Sequence, residues 1–306
     1  MRFRLFFGII AALFFVDGFG ADARSSEQKR TIRIPVQQAD LDGLNDCILS
    51  RSDDCRKCRQ PNQSNLSLMN YTLLREALSE GGFEAEVQPV HSPNSERSRK
   101  MILSGQADIK TDWIFNISVD EGALQTEPVF LSGEIEKGLY ARRNLLTPDR
   151  QLNIQDIRNL RAVGIRSWRL DWQVLESLSL ASLSTAATTK QMFALIDAGR
   201  ADFTLLEFSS QEDMGRQVDG IWLYPIQGVK ISLPATQHFM VSASLRDSGM
   251  VVDALNRGIK RLRESGFIQR CLVNSGVINP AVAYWQTLNA TASEAITKQA
   301  PTVSTQ

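Results

Sequence analysis

The feature that most constrains this chain is a phrase it uses twice. Gly105-Gln106-Ala107-Asp108 follows Met101-Ile102-Leu103, and Gly199-Arg200-Ala201-Asp202 follows Leu195-Ile196, 94 positions on (199 − 105). In each copy an apolar run at helical spacing stops at a glycine, the residue that most readily takes the positive φ of a helix end. After each glycine a strand follows: Ala107 to Lys110 in the first copy, Phe203 to Leu206 in the second. Repeats of about 20–50 residues mark solenoids. A spacing this long predicts instead two α/β lobes built alike. In open α/β sheets, ligands bind beyond the carboxyl ends of the strands, so two facing lobes make a cleft. The plainer alternative is that Gly-x-Ala-Asp is a common helix-to-strand junction and nothing more.

Composition fits a pair of soluble lobes. The chain has 306 residues, 43% of them hydrophobic, and a formal net charge of +0. There is no basic excess to draw it to nucleic acid. The first 23 residues read as a signal peptide. Arg2 and Arg4 precede an apolar run from Leu5 to Val16, too short to span a bilayer. Ala21-Asp22-Ala23 has the form of a cleavage site, so the mature chain is expected to begin near Arg24 and to be exported, periplasmic and soluble. No cysteine closes the apolar run, which argues against a lipid anchor.

That compartment bears on the four cysteines, Cys47, Cys55, Cys58 and Cys271. An even number in an exported chain favours disulfides, with three possible connectivities. Cys55-Arg56-Lys57-Cys58 has redox-motif spacing, but it lies in a polar loop rather than at a helix start after a strand. All four are therefore expected to be oxidised. Cys47 is expected to pair within the 47–58 loop, leaving either Cys55 or Cys58 to reach Cys271. No metal site or cofactor motif is read.

In order, Thr31 to Val36 reads as a strand, and residues 37–65 as a polar loop. Leu66, Met69, Leu73, Leu74, Ala77 and Leu78 recur at helical spacing up to Gly81. Phe83 to Val90 alternates as a strand, and Ser95 is placed to cap a helix reaching Ser104. Glu134 to Arg142 and Ala162 to Ile165 read as strands, Asp171 to Leu178 as a helix. Thr188 caps a helix through Ala198. Ile221 to Ile226 and His238 to Ala243 are further strands. Asp247 or Ser248 opens a long helix with Val251, Leu255, Ile259 and Leu262 on one face, ending at Gly266. From Gln286 the chain turns to Ala, Thr, Ser and Gln without periodicity, and 286–306 is expected to be a disordered tail.

This order resembles the periplasmic solute-binding proteins of family 3, with the type II fold. The resemblance rests on Ile102 to Asp108, Glu127-Pro128-Val129-Phe130, the strand Glu134 to Arg142, Leu160 to Ile165 and Leu255 to Gly266, across about residues 31–276. It implies an α/β chain of two Rossmann-like lobes with a ligand cleft between them. Two crossover strands near 134–139 and 232–239 join the lobes. Lobe 1 is then residues 24–135 with 238–285, and lobe 2 residues 136–237. The implied role is capture of a small polar organic molecule by a monomer that delivers it to an ABC-type importer through a membrane permease. The alternatives are a sensory or accessory module docking on a membrane receptor, and a rare dehydratase-like enzyme on the same fold. Against an enzyme stand the two histidines, His91 and His238, and the lack of a nucleophile elbow, a zinc-protease motif or a P-loop.

The resemblance also implies site residues. Amino-acid-binding members carry an Arg just after the cleft segment, whose planar fork clamps the ligand's carboxylate. Here no Arg occurs between Thr111 and Gly138, and Asn116 to Glu121 fills that place. The family's late acid, which takes the ligand's ammonium, falls on Glu207, five residues after Asp202 (207 − 202). Where the second lobe often has Gly-Thr, this chain has Trp168-Arg169. Glu207 is thus the candidate for an amine or hydroxyl, and Arg166 and Arg169 for an anionic group. Trp113 and Trp168 are candidate walls, by stacking or cation–π attraction. Asp112, Asn116 and Gln37 complete the set. Retained acids beside a missing Arg favour a ligand bearing an amine or several hydroxyls. The plainer readings are solvated acids, surface arginines and tryptophans of the core.

Overall fold

The computed structural model describes residues 30–49, 54–60, 65–145 and 152–289. The expected signal peptide lies outside them. Among the described residues no helix is long and apolar enough to cross a membrane.

The chain opens with β1 (Arg30–Val36), α1 (Gln38–Leu49), α2 (Leu66–Glu80), β2 (Ala85–His91), α3 (Ser95–Leu103), β3 (Ile109–Trp113), α4 (Ile114–Ile117) and β4 (Ala123–Phe130). It continues with β5 (Glu136–Ala141), α5 (Ile154–Arg158), β6 (Arg161–Gly164), α6 (Arg169–Ser177), β7 (Ser182–Thr185), α7 (Thr189–Asp197), β8 (Phe203–Glu207), β9 (Arg216–Val218) and β10 (Ile221–Ser232). It returns through β11 (Gln237–Ser242), α8 (Ser248–Glu264), α9 (Phe267–Asn274) and β12 (Gln286–Thr287).

β1 and β2 pair in parallel, and β11 lies between β3 and β4 with both pairings antiparallel. A larger mixed sheet has the order β12-β10-β5-β8-β6-β7, with β9 added along β10. β6 is parallel to β7 and β8, whereas β5 is antiparallel to β8 and β10.

The repeated phrase is a repeated device. Gly105 and Gly199 both have φ +68°, a conformation costly for any residue with a Cβ. Each glycine turns its chain so that the following Asp closes on the Arg of an earlier strand, β1 in the first copy and β6 in the second. Arg33 of β1 donates to Asp108 from its backbone N (2.7 Å), Nε (3.0 Å) and Nη2 (2.6 Å). Arg161 of β6 donates to Asp202 from the same three atoms, at 2.8, 3.0 and 2.8 Å. The Asp backbone N–H returns the bond to the Arg carbonyl, at 2.8 Å in both copies.

Helix α8 shows the expected stripe: Val251, Leu255, Ile259 and Leu262 are buried, with Ala254 and Gly258 among them. Gly258 is required by close approach, because a methyl group there would overlap the Ala77 carbonyl of α2.

Three expectations change. The polar loop 37–65 contains α1, whose Leu41, Leu44 and Cys47 recur three residues apart and pack into the core. Asn94, not Ser95, caps α3, its Oδ1 accepting from Arg97 N at 2.8 Å. The tail expected from Gln286 begins later. β12 pairs with β10, and Asn289 Nδ2 donates to Ser232 O at 2.7 Å while its Oδ1 accepts from Ser232 N at 3.1 Å. The rest of that tail lies outside the described residues.

The cysteines form Cys47–Cys58 and Cys55–Cys271, and no described cysteine is free. The second bridge fastens the 3₁₀ turn Arg56–Cys58 to α9.

Candidate functional site

One connection, 275–285, leads from α9 to β12 at the edge of the mixed sheet, and two others, 131–135 and 233–236, run between the three-stranded sheet and the mixed sheet. The latter two lie side by side: Gly133 N donates to Leu233 O and Leu233 N donates to Ile135 O, both at 2.9 Å. A ladder this narrow is the place where two bodies can bend with few bonds disturbed.

α4 and α6 meet across this junction. Arg169, the first residue of α6, donates from Nη1 to Asn116 Oδ1 at 3.0 Å. Its guanidinium carbon lies 5.2 Å from the centroid of Phe115. Asn116 Nδ2 donates to Asp112 Oδ1 at 2.8 Å, and Lys110 Nζ donates to Asp112 Oδ2 at 2.5 Å. Alternation along β3 puts Lys110 and Asp112 on one face, and the turn into α4 brings Asn116 back over them. Burial alone would raise the Asp112 carboxyl, but Lys110 and the donors Asn116 and Trp113 N outweigh it and hold the group below the usual range.

A second cluster sits at the carboxyl end of β8. Lys137 of β5 opposes Glu207 in the strand register. Its Nζ is 3.1 Å from Glu207 Oε1 and 2.6 Å from Asp171 Oδ1 in α6. The Asp171 contact is an ion pair by distance, outside hydrogen-bond alignment. Arg216 donates to the Glu207 carbonyl from Nη2 (2.9 Å) and Nε (3.1 Å), and its Nη2 is 3.9 Å from Glu207 Oε2. Burial works against the charges of Glu207, Asp171 and Lys137. For Glu207 the nearby Lys137 and Arg216 charges prevail and bring its carboxyl down to about 2. For Asp171 burial prevails and the carboxyl is raised. Lys137 is raised, because its two carboxylates outweigh burial.

The structure therefore joins Arg169, Asn116 and Asp112 into one chain of contacts. It places Glu207 beside Trp168, whose ring lies 5.7 Å from Lys137 Nζ. Trp113 and Phe115 pack against the main core while presenting some surface, and Trp168 does so against a second cluster around Tyr140 and Val163. Arg166 is turned onto the Trp172 ring at 5.1 Å. Gln37 follows β1 with its carbonyl accepting from Asp40 N at 3.0 Å, and it joins neither group among the described residues.

Reasoning from the sequence missed Lys137, Asp171, Arg216 and Lys110. A signal existed for Lys137, a cation inside the otherwise apolar strand Gly138-Leu139-Tyr140-Ala141. It missed Asn70 as well. This buried residue of α2 donates to Thr111 Oγ1 at 2.8 Å and Gln237 Oε1 at 3.3 Å, while its Oδ1 has no partner among the described residues. A cavity of about 400 Å³ lies elsewhere, lined by Arg56, Arg59, Ser210 and Asn279 among others.

No protein-family model matches this chain, and no curated protein matches its sequence. Solved structures do. The chain is similar to the GluR0 ligand-binding core in complex with L-glutamate, with a TM-score of 0.50 and 13% identity over 80% of this chain and 97% of that one. A Streptococcus pneumoniae amino acid ABC transporter substrate-binding protein bound to L-arginine gives 0.49 and 10%, over 69% and 83% of the two chains. Substrate-binding domain 2 of Lactococcus lactis GlnP gives 0.46 and 12%, over 81% and 96%. The first likeness establishes the fold: this is a two-lobe α/β chain with the type II periplasmic binding fold.

Proposed function

We propose that this chain is an exported, periplasmic solute-binding protein of the family-3 kind. It works as a monomer that captures a small polar organic molecule between lobe 1 (24–135 with 238–285) and lobe 2 (136–237) and passes it to an ABC-type importer in the membrane. One observation carries the reading. Arg169 of α6 and Asn116 of α4 touch across the junction where the connections 131–135 and 233–236 lie side by side. Polar side chains that meet across such a hinge are where a solute bridging both lobes gains affinity, and that gain shifts the population toward closure. The GluR0 core, solved in complex with L-glutamate, supports a small polar solute on this fold.

The proposal is a binder rather than an enzyme. The ring of His238 is fully engaged inside lobe 1, Nδ1 with Thr126 O and Nε2 with Thr236 Oγ1, each at 2.7 Å. Burial lowers its pKa, which suits a structural imidazole better than a proton carrier. The test is a thermal-shift screen of metabolites followed by small-angle scattering on each hit. A solute at about 100 times its Kd adds roughly 2.7 kcal/mol, so hits stand out. The expected result is a rise in melting temperature with a fall in radius of gyration. Tight binding without compaction would refute the clamp.

A further inference from the structure

We infer that the solute is an organic carboxylate that carries no amine. The inference rests on the clamp reading above and names the ligand class of that site.

The acids of the site are already spent. Glu207 faces Lys137 at 3.1 Å and Arg216 at 3.9 Å, and Asp171 faces the same Lys137 at 2.6 Å. Asp112 is satisfied by Lys110, Asn116 and the Trp113 N–H. Asp120 is tied to Arg99 at 2.6 Å, and Glu121 is exposed and joins none of these contacts. An incoming ammonium would have to displace Lys137 from two carboxylates. The Lys137 side chain is 6% exposed and belongs to the strand β5 itself, so the displaced charge would stay buried and unpaired. Lys137 stands where an amine-bearing ligand would put its own cation.

Arg169 is the opposite case. Its partners are neutral, the amide oxygen of Asn116 and the face of Phe115, and no described carboxylate pairs with it. Across the two groups the cations are Lys110, Lys137, Arg169 and Arg216 and the anions Asp112, Asp171 and Glu207, a surplus of one positive charge (4 − 3). A guanidinium presents a planar fork that matches a carboxylate with two parallel bonds, each stronger than a bond to a neutral amide. A carboxylate arriving at Arg169 replaces the weaker Asn116 acceptor and neutralises the surplus. The rings of Phe115 and Trp168 lie beside the two groups and suit an apolar body behind that carboxylate.

The test uses matched pairs on the mature chain by calorimetry: 2-oxoglutarate with L-glutamate, phenylpyruvate with L-phenylalanine, and succinate with putrescine, together with inorganic phosphate and a neutral sugar. At least one amine-free carboxylate is expected to bind, with its amine-bearing counterpart weaker by roughly tenfold or more. Arg169→Ala is expected to weaken the carboxylate by about tenfold or more. Arg169→Lys keeps the charge without the fork and is expected to restore only part of the loss. An amine-bearing probe that binds as well as its amine-free counterpart overturns the inference, as does binding only of phosphate or sugar, or an Arg169→Ala variant that binds normally. In each of those outcomes the clamp reading stands. If no probe and no metabolite of the wider screen binds, the clamp reading falls and the inference with it.

Discussion

Lys137 holds its ammonium 3.1 Å from the Glu207 carboxylate, across the adjacent antiparallel strands β5 and β8. The pair turns a position suited to an external cation into an internal ion pair. Its energetics are testable through pH. The Glu207 carboxyl is held down to about 2, so its stabilising contribution is complete above the ordinary carboxylate range and is lost as pH falls toward 2. Lys137→Met leaves Glu207 and Asp171 buried without their cation. At neutral pH it should lose about 3–5 kcal/mol, the usual cost of breaking one side of a buried pair. Acidification protonates the stranded acids, so the deficit should shrink there. Urea unfolding at several pH values measures this, and a variant with wild-type stability at neutral pH would show that the pair contributes nothing.

The twin clamps Arg33–Asp108 and Arg161–Asp202 permit an internal comparison. Both aspartates accept the same three bonds, but the Asp108 side chain is 3% exposed and that of Asp202 19%. Removing either strips the Arg side chain and backbone N–H of their carboxylate, although Arg33 keeps its bond to Gly105 O, and such a loss costs about 1–3 kcal/mol when the site is buried. Asp108→Ala should fall at the upper end and Asp202→Ala at the lower. Because the sites share no partner, the double variant should be additive within about 0.5 kcal/mol. Equal losses in chemical denaturation would mean that the difference in burial is irrelevant.

These clamps also mark what the sequence made legible. The Gly-x-Ala-Asp phrase is local, and positive φ at a helix end has a short-range signal, so the two-part architecture could be read from Gly105 and Gly199. The Arg partners lie 75 and 41 residues away in sequence, and no spacing announces them. The candidate site divides in the same way. Arg169, Asn116 and Asp112 could be nominated because the family resemblance marks their positions beside the expected cleft. Lys137 stood out only as a cation beside an apolar run; its pairing with Glu207 depends on the register of β5 against β8, which is a long-range fact. α1 was hidden because its sequence interleaves its apolar residues with Asp, Asn and Gly, residues that also favour turns.

Asp40, in the first turn of α1, offers a pH test of opposite sign. Burial raises its carboxyl to about 6, against a smaller lowering by the Ser67 hydroxyl. A raised acid gives stability that is complete below its unfolded pKa and lost as pH rises through the folded value. Asp40→Asn should therefore stabilise the chain by on the order of 1 kcal/mol near pH 8, with the gain vanishing near pH 4. Thermal denaturation across that range decides it, and a gain independent of pH would assign the effect to something other than the charge.

The two disulfides should differ in weight. Cys55–Cys271 closes 216 residues and Cys47–Cys58 closes 11. The chain-entropy model gives about 5 kcal/mol for the first and about 3 kcal/mol for the second. The long bridge also seats the turn that reaches the other lobe, where Arg59 donates to Ser210 O at 2.9 Å. Paired Cys→Ser variants, compared by denaturant midpoint, should rank accordingly. A larger loss from the short bridge would show that local packing of α1, not loop closure, sets the stability.

The last expectation concerns the Arg169–Asn116 bridge, which joins the lobes through α6 and α4. One hydrogen bond of this kind contributes about 0.5–1.5 kcal/mol, enough to bias an open–closed equilibrium by about two- to tenfold. Asn116→Ala removes the acceptor and leaves the guanidinium in place. The unliganded variant should populate the open form more and show a larger radius of gyration in solution scattering. Asn116 also donates to Asp112, so a double variant with Arg169→Ala separates the two roles. If the bridge between the lobes is what matters, Arg169→Ala alone should expand the chain as far as the pair does. An unchanged radius in both single variants would mean that the bridge has no part in setting the resting state.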